Sequence, residues 1–261
     1  MPALASPLVY LILGAAGSGR REVLADLIAD GLEEGDRAAV MFAEGESMSD
    51  FDDRLPGLSL WTWEGGLIDG ELPADATHVF FVTHGRHNPV EQTEAFKAWL
   101  AVRGGELARV LAIVDCRLAE QNPPLLAWFE ACIHFADVVL LTRRELVANK
   151  WLSGFLDHFQ RRFYPCLIEV TKAGRVKNPR LVLDRQARRM SHFLDDEQDW
   201  VVTGADGVVI DADDEGEAEG EEEVQAAPEE DPYLAKDAAG RRAKRLPDIT
   251  KYLEENKKEE G

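Results

Sequence analysis

The chain has 261 residues, a hydrophobic content of 45% and a formal net charge of −20, and this is enough apolar material for one sizeable α/β core. The charge is uneven, because residues 211–231 contain 12 acids and no base, so the global acidity says little about partners of the folded part. No apolar run approaches the roughly 20 residues that a membrane-spanning helix needs, so we expect no membrane partner. No Lys or Arg precedes Arg20, so the apolar N-terminal run favours a buried strand over a secretion signal.

The cysteines are Cys116, Cys132 and Cys166, which are widely spaced and odd in number. They form neither a disulfide framework nor a C-x-x-C pair, and this usage is typical of a reducing compartment. We therefore expect a cytoplasmic protein.

Strand and helix patterns alternate through the first 170 residues. Near-continuous apolar runs, typical of strands covered on both faces, lie at 8–13, 37–43, 78–83, 109–114, 137–142 and 166–170. Helical patterns lie at 21–30, 90–102, 123–134 and 145–160. This order predicts a doubly wound α/β domain with a mostly parallel sheet over residues 1–175. Ligands of such sheets bind beyond the carboxyl ends of the strands.

The pattern is weaker elsewhere. Residues 44–58 are polar and predict a loop, and the stretch LSLWTWEGG that follows predicts a short strand. Residues 176–210 predict a small extension, in which RLVLDRQARRMSHFL has the pattern of a strand plus a short helix. The stretch DWVVTGADGVVID predicts a hairpin that turns near Gly204–Gly207.

The C-terminal part divides by charge. Residues 211–231 are too acidic to fold alone and predict a disordered linker. Residues 232–261 form a short basic or amphipathic tail segment, with five bases between Lys236 and Arg245. We interpret residues 232–255 as a docking element for the acidic run or for an unknown protein client. Nucleic acid is disfavoured as a partner, because the neighbouring acidic run would repel phosphate.

The stretch GAAGSGRR, residues 14–21, has the spacing of a phosphate-binding loop, G-x-x-x-x-G-K-[ST]. Backbone N–H groups and a helix N-terminus can hold an anion there. The Lys position holds Arg20, which keeps the charge but has a bulkier planar head. The Ser/Thr position holds Arg21, which has no lone pair to offer a magnesium ion. The candidate nucleotide-binding residues of this loop are Gly14, Gly17, Ser18, Gly19, Arg20 and Arg21; a glycine-rich turn without a ligand is the alternative.

Two further strand ends have polar sequences. In FFVTHGRHNPVEQTEAF, residues 80–96, His84 and His87 are candidate metal ligands or simply surface histidines. In ADVVLLTRREL, residues 136–146, Thr142, Arg143 and Glu145 stand where a guanine-recognising loop would lie. The alternative is a strand end followed by a helix start, with Thr142 as an N-cap.

Taken in order, LILGAAGSGRREVLADLI, FFVTHGRHNPVEQTEAF, VLAIVDCRLAE and FADVVLLTRREL resemble the successive motifs of the CobW family of P-loop GTPases, relatives of the nickel-handling HypB and UreG proteins. The resemblance covers about residues 8–170. Gly85 and Pro89 match the family's second motif, Asp115 matches its third, and Asp137 follows Ala136 as in its fourth. The resemblance implies a P-loop fold and GTP as the ligand.

The departures from that pattern fall on the side chains that carry the chemistry. The Lys and Ser/Thr positions hold Arg20 and Arg21, the magnesium-associated Glu position falls on Val82, and the N-K-x-D motif is replaced by residues 142–145. Residues 44–70 contain no cysteine, although the family has a metal-binding Cys-rich stretch there. Together these changes make magnesium binding doubtful and argue against hydrolysis, so we assign no catalytic residue.

Four arginines, Arg20, Arg21, Arg143 and Arg144, are expected on the same rim of the sheet. They could hold an anion without magnesium, or pair with acids of this acidic chain.

Three functions remain open. The first is a degenerate nucleotide-binding protein, a pseudo-GTPase that acts as a binding or scaffold module. The second is an active GTP-dependent metallochaperone that delivers a metal to a client protein. The third is a small-molecule P-loop kinase. If the protein is an enzyme, we expect it to be a GTPase.

Overall fold

An eight-stranded sheet is the centre of the computed structural model, which describes residues 6–195, 202–203, 209–210 and 231–253. The strands are β1 (Leu8–Gly14), β2 (Ala38–Ala43), β3 (Ser59–Glu64), β4 (Leu67–Asp69), β5 (His78–Val82), β6 (Glu106–Asp115), β7 (Val138–Thr142) and β8 (Leu167–Val170). Their order across the sheet is β4-β3-β2-β5-β1-β6-β7-β8. Neighbouring strands are parallel except β3 and β4, which form an antiparallel hairpin.

Helices cover both faces of this sheet. They are α1 (Arg20–Gly31), α2 (Pro89–Arg103), α3 (Cys116–Gln121), α4 (Leu126–His134), α5 (Asn149–Gln160) and α6 (Pro179–Leu183). Alternate side chains of β1 enter two separate cores, as the two-residue repeat of a strand requires. Tyr10 and Ile12 pack with α1 and α6, whereas Val9 and Leu11 pack with α2, α4 and α5. The predicted doubly wound, mostly parallel α/β fold is confirmed.

The apolar strands lie close to their predicted positions, and the short strand expected after residue 58 is β3. The helix expected over 123–134 begins as a 3₁₀ turn, Pro123–Leu125, before α4. The single helix expected over 145–160 is interrupted: the 3₁₀ turn Arg144–Leu146 is separated from α5 by Val147 and Ala148, whose backbone is extended.

The prediction of a strand followed by a short helix over 180–194 is wrong. The stretch begins within α6, and residues 184–195 have no regular element. A buried carboxylate holds this part instead of a strand ladder: Asp137 accepts hydrogen bonds from the Arg188 N–H at 2.6 Å and from the Arg189 guanidinium at 3.0 Å. Arg109 also donates to the Leu181 carbonyl at 2.6 Å, so the extension packs directly on the sheet.

The predicted hairpin is confirmed by the antiparallel pairing of β9 (Val202–Thr203) with β10 (Val209–Ile210). Its turn, at Gly204–Gly207, and the acidic residues 211–230 lie outside the described residues.

Residues 231–253 pack on the chain's own domain. Asp231 accepts a hydrogen bond from the Ser191 hydroxyl and lies 2.8 Å from the His134 ring at the end of α4. Tyr233 and Ile249 are buried in the core that contains α2 and α4. The predicted docking segment therefore contacts its own domain over the described part of its length.

All three cysteines are free and buried. Burial raises the pKa of the Cys116 thiol to about 12 and that of Cys166 to about 11. Among the described residues, none of the helices has the length and apolar character that crossing a membrane would require.

Candidate functional site

The glycine-rich loop lies between the end of β1 and the start of α1, as its sequence predicts. Gly14 has a φ of +149°, and a Cβ there would lie 2.6 Å from the Ile113 carbonyl oxygen, so only glycine fits against β6. Thr142, the last residue of β7, holds the loop through its hydroxyl, which donates to the Ser18 carbonyl at 2.8 Å. The hydroxyl of Ser18 itself is buried and has no hydrogen-bond partner within the described structure.

A second loop, after β5, closes over the first one. The Ala16 N–H donates to the Gly85 carbonyl at 2.9 Å. A Cβ at Gly85 would lie 2.1 Å from the Ala16 nitrogen, so this approach also requires glycine. The two loops thus form one wall beyond the carboxyl ends of β1 and β5, where ligands bind in sheets of this kind.

Arg20, in the lysine position, is neutralised within the chain. Its Nη2 lies 2.7 Å from both carboxylate oxygens of Glu46, and its Nη1 donates to the Thr83 carbonyl at 2.5 Å. The side chains of Arg20 and Glu46 are only 2% and 4% exposed. Glu46 also accepts a hydrogen bond from the Gly85 N–H at 2.8 Å, so its carboxylate joins both loops.

Glu46 stays ionised in this arrangement. Burial alone raises the pKa of its carboxyl group, but the charge and hydrogen bond of Arg20 and the N–H of Gly85 outweigh burial and lower it below 4.5. The site therefore contains a fixed negative charge at neutral pH.

Arg21, in the Ser/Thr position, is also paired. Its Nε donates to Asp52 at 2.5 Å, and its Nη1 lies 3.6 Å from Glu46. The guanidinium stands 4.1 Å from the centre of the Phe42 ring, which is the geometry of a cation–π contact.

Arg143, at the end of β7, has a positive φ of 53° and forms an ion pair with Asp115. Asp115 caps α3, since it accepts from the Arg117 N–H at 3.0 Å and the Leu118 N–H at 3.2 Å. Arg144 donates to Asn149 on the neighbouring helix. The sequence allows the four arginines either to hold an external anion or to pair with acids of the chain. Arg20, Arg21 and Arg143 pair with acids.

The structure places a cavity of about 440 Å³ against the phosphate loop. Ala16, Gly17 and Gly19 line it. Its charged lining consists of Arg20, Arg21, Arg86, Arg117 and Arg143 with Glu22, Glu46 and Asp115. Leu253, from the C-terminal segment, also lines it. This volume lies within the range of about 300–1,000 Å³ of small-molecule sites.

The three candidate residues for guanine recognition lie in different surroundings. Arg143 lines the cavity, Thr142 is buried beneath the loop and bound to Ser18, and Glu145 is exposed at the protein surface outside the described lining. The base-recognition role of Glu145 stays a prediction.

His84 and His87 lie close together, with ring centres 4.3 Å apart. The Nδ1 of His84 accepts from the Arg86 N–H at 3.2 Å, so one ring nitrogen is used within the turn. Burial, together with the neighbouring His87, lowers the pKa of His84 despite the nearby Glu46. The described residues contain no cluster of three or more His, Cys, Asp or Glu side chains arranged to hold a metal ion.

A magnesium ion does not fit the residues of the phosphate loop. The position that would offer it a hydroxyl is occupied by the cationic Arg21, held between Asp52 and Glu46. Another carboxylate at this rim, Asp115, is committed to Arg143 and to the N-terminus of α3.

Glu46 and Asp52 are the residues of the site that the sequence does not reveal. Both lie in the polar stretch 44–58, which has no periodicity, and they follow their partners Arg20 and Arg21 by 26 and 31 positions respectively. The available signal was charge alone: two arginines in a phosphate loop require counter-charges unless they remain exposed.

No protein-family profile matches the chain, and no curated protein sequence matches it significantly. Solved structures are similar to it at low identity. The Zn(II)-bound YjiA GTPase from E. coli has 16% identity and a TM-score of 0.41, over 71% of this chain and 67% of that one. The nickel complex of HypB from Helicobacter pylori has 12% identity and a TM-score of 0.42, over 68% and 82%. The signal recognition particle receptor FtsY from Elizabethkingia anophelis, in complex with GDP, has 19% identity and a TM-score of 0.44, over 71% and 64%.

Proposed function

We propose that this protein is a degenerate P-loop nucleotide-binding protein, a pseudo-GTPase that works as a binding or scaffold module. The observation that carries the proposal is the buried Arg20–Glu46 pair beside an otherwise open phosphate loop. The loop supports binding of a nucleotide, and the pair argues against its hydrolysis.

The loop keeps the features that hold phosphate through the backbone. Gly17 and Gly19 have φ values of +78° and +86° and line the cavity, and α1 begins directly after them. A helix N-terminus has a partial positive charge, and the N–H groups of its first turn have no partner within the helix. Such a site can bind an anion without a lysine.

The side chains that hydrolysis would need are committed elsewhere. Hydrolysis of a nucleoside triphosphate relies on a lysine and a metal ion that neutralise charge as it develops on the phosphoryl oxygens. Here the charge of Arg20 is paired with Glu46, and the residues at the metal position do not fit magnesium. We therefore propose binding without turnover.

The test is a titration of the full chain with fluorescent GDP, GTP and ATP, each in magnesium and in EDTA, beside a phosphate-release assay. We expect binding that does not depend on magnesium, with no phosphate release above background. Gly17→Glu should weaken binding at least about tenfold, because it adds a charged side chain to the cavity. Gly65→Glu is the matched control, since Gly65 also has a positive φ and open space but lies in the turn between β3 and β4.

Other outcomes would support the other functions. GTP binding that needs magnesium and leads to phosphate release would support the active GTPase, and a metal-transfer assay would follow. Preference for ATP with transfer to a small acceptor would support the kinase. No binding by the wild type up to millimolar nucleotide would contradict the proposal and leave the loop a purely structural turn.

A further inference from the structure

We infer that this site selects a nucleoside diphosphate over the corresponding triphosphate, because the Glu46 carboxylate occupies the place of a terminal phosphate. The inference rests on the proposed function and specifies its ligand. Glu46 acts as an anion built into the chain.

The donors that surround Glu46 are those that a terminal phosphoryl group would use. In a phosphate loop of this spacing, the side chain after the last glycine reaches the β- and γ-phosphates. Here that side chain, Arg20, places one nitrogen 2.7 Å from each oxygen of Glu46. The Gly85 N–H, from the opposite loop, donates to the same carboxylate at 2.8 Å. A cation and a backbone donor from two loops therefore already bind one anion.

Glu46 is held firmly in this place. The Glu46 N–H donates to the Ala43 carbonyl at 3.3 Å, which ties the residue to the end of β2. Arg21 approaches the carboxylate within 3.6 Å and is itself fixed by Asp52. A third phosphate must either displace this carboxylate or lie against it, and close like charges strongly disfavour association.

The rest of the loop stays open. Gly17 is exposed, no atom lies within 4 Å of where its Cβ would be, and it lines the cavity with Ala16 and Gly19. Two phosphates can therefore lie along the loop and the start of α1. A third phosphate would reach Glu46, so a diphosphate is the longest phosphate group that fits while the Arg20–Glu46 pair is intact.

The experiment measures the ratio of the dissociation constants of ribose-labelled fluorescent GTP and GDP, and of ATP and ADP, for the full chain in EDTA. We expect the wild type to bind the diphosphate at least about tenfold more tightly. Glu46→Gln keeps the size of the side chain but removes its charge, and should raise triphosphate affinity so that the ratio falls towards one. Glu44→Gln is the matched control, because Glu44 is exposed two positions earlier in the same loop, and it should keep the wild-type ratio.

The wild-type ratio is informative even if Glu46→Gln proves unstable. Equal affinity of the wild type for diphosphate and triphosphate would overturn the inference while leaving nucleotide binding intact. The same holds if Glu46→Gln is folded, by its circular dichroism, and keeps the wild-type ratio. Failure of the wild type to bind either nucleotide would instead overturn the proposed function, and this inference with it.

Discussion

Arg20 and Glu46 depend on each other for their stability in the fold. Both side chains are nearly inaccessible to water, and Nη2 of Arg20 lies within hydrogen-bond distance of both carboxylate oxygens of Glu46. A buried ion pair adds little net stability compared with two apolar residues, but removing one member leaves an uncompensated charge. Substitution of either residue alone should therefore destabilise the fold strongly, whereas replacement of both by apolar residues should change the stability little.

Arg20→Ala should lower the free energy of unfolding by about 3–5 kcal/mol, because Glu46 would remain buried without its cation. The double variant Arg20→Met with Glu46→Leu should recover most of that loss. Urea unfolding followed by circular dichroism gives both values. If the effects of the Arg20→Met and Glu46→Leu substitutions simply add, the two residues do not act as a pair and the interpretation is wrong.

At the scale of elements, the phosphate loop and the β5–α2 loop can meet because Gly85 has no side chain where it touches the backbone of Ala15 and Ala16. Gly85 lies against the Ala16 backbone and donates to Glu46, so it holds the phosphate loop, the β5–α2 loop and the polar loop together. No comparable contact fixes Gly154, which lies exposed in the middle of α5 with nothing near the position of a Cβ.

Gly85→Ala should destabilise the protein by about 1–3 kcal/mol, because its methyl group would press on the phosphate-loop backbone. Gly154→Ala, the matched control, should instead stabilise it by about 0.5–1 kcal/mol through its helix propensity. Thermal unfolding of the two variants should thus shift in opposite directions. A Gly85→Ala variant that unfolds at or above the wild-type temperature would show that the two loops are not in contact in solution.

Strands and helices could be predicted from the sequence where their side chains are buried, because burial requires a continuous or periodic apolar pattern. The contacts of the candidate site could not be predicted in this way. The run Val9 to Leu13 is buried on both faces of the sheet, so its sequence alone predicts β1. Glu46 lies in a polar loop, and its position depends on contacts with residues far along the chain. Likewise, Asp115 and Arg143 were each singled out by motif, but their pairing follows from β6 lying next to β7.

For the whole molecule, the C-terminal segment matters because it returns to the domain and reaches the candidate site. It is attached near its start by Asp231 and Tyr233, and its far end contributes Leu253 to the cavity wall. A protein client that binds this segment must compete with the domain for Tyr233 and Ile249, which are buried in it. Release of the segment would also open one side of the cavity.

Asp231→Asn should weaken the attachment of residues 231–253 by about 1–3 kcal/mol, since the carboxylate accepts from Ser191 and contacts His134. Burial raises the pKa of Asp231, but these groups and the Tyr233 N–H outweigh it and lower the pKa below 3.8. Its contribution is therefore complete above pH 3.8 and is lost as the pH falls through the lowered value.

Hydrogen-exchange protection at the Leu234 and Ala235 amides, which donate to the Asp231 carbonyl, measures this attachment. Asp237→Asn is the control, because Asp237 is exposed and accepts from nearby residues such as Arg241 within the segment. We expect low protection in Asp231→Asn at neutral pH and near-wild-type protection in Asp237→Asn. Equal protection in the two variants, or a wild type that gains protection in acid, would contradict the role of Asp231.

The Arg20–Glu46 pair also limits the order in which the sequence can change over time. A chain with Arg20 that lost Glu46 would bury a lone cation, and a chain with an active phosphate site that gained Glu46 would repel its own substrate. Neither intermediate should persist, so an alignment of natural relatives should show the two positions varying together. An acid at position 46 should accompany arginine at position 20 and be rare where lysine stands there, so the two positions together would trace how this pair arose.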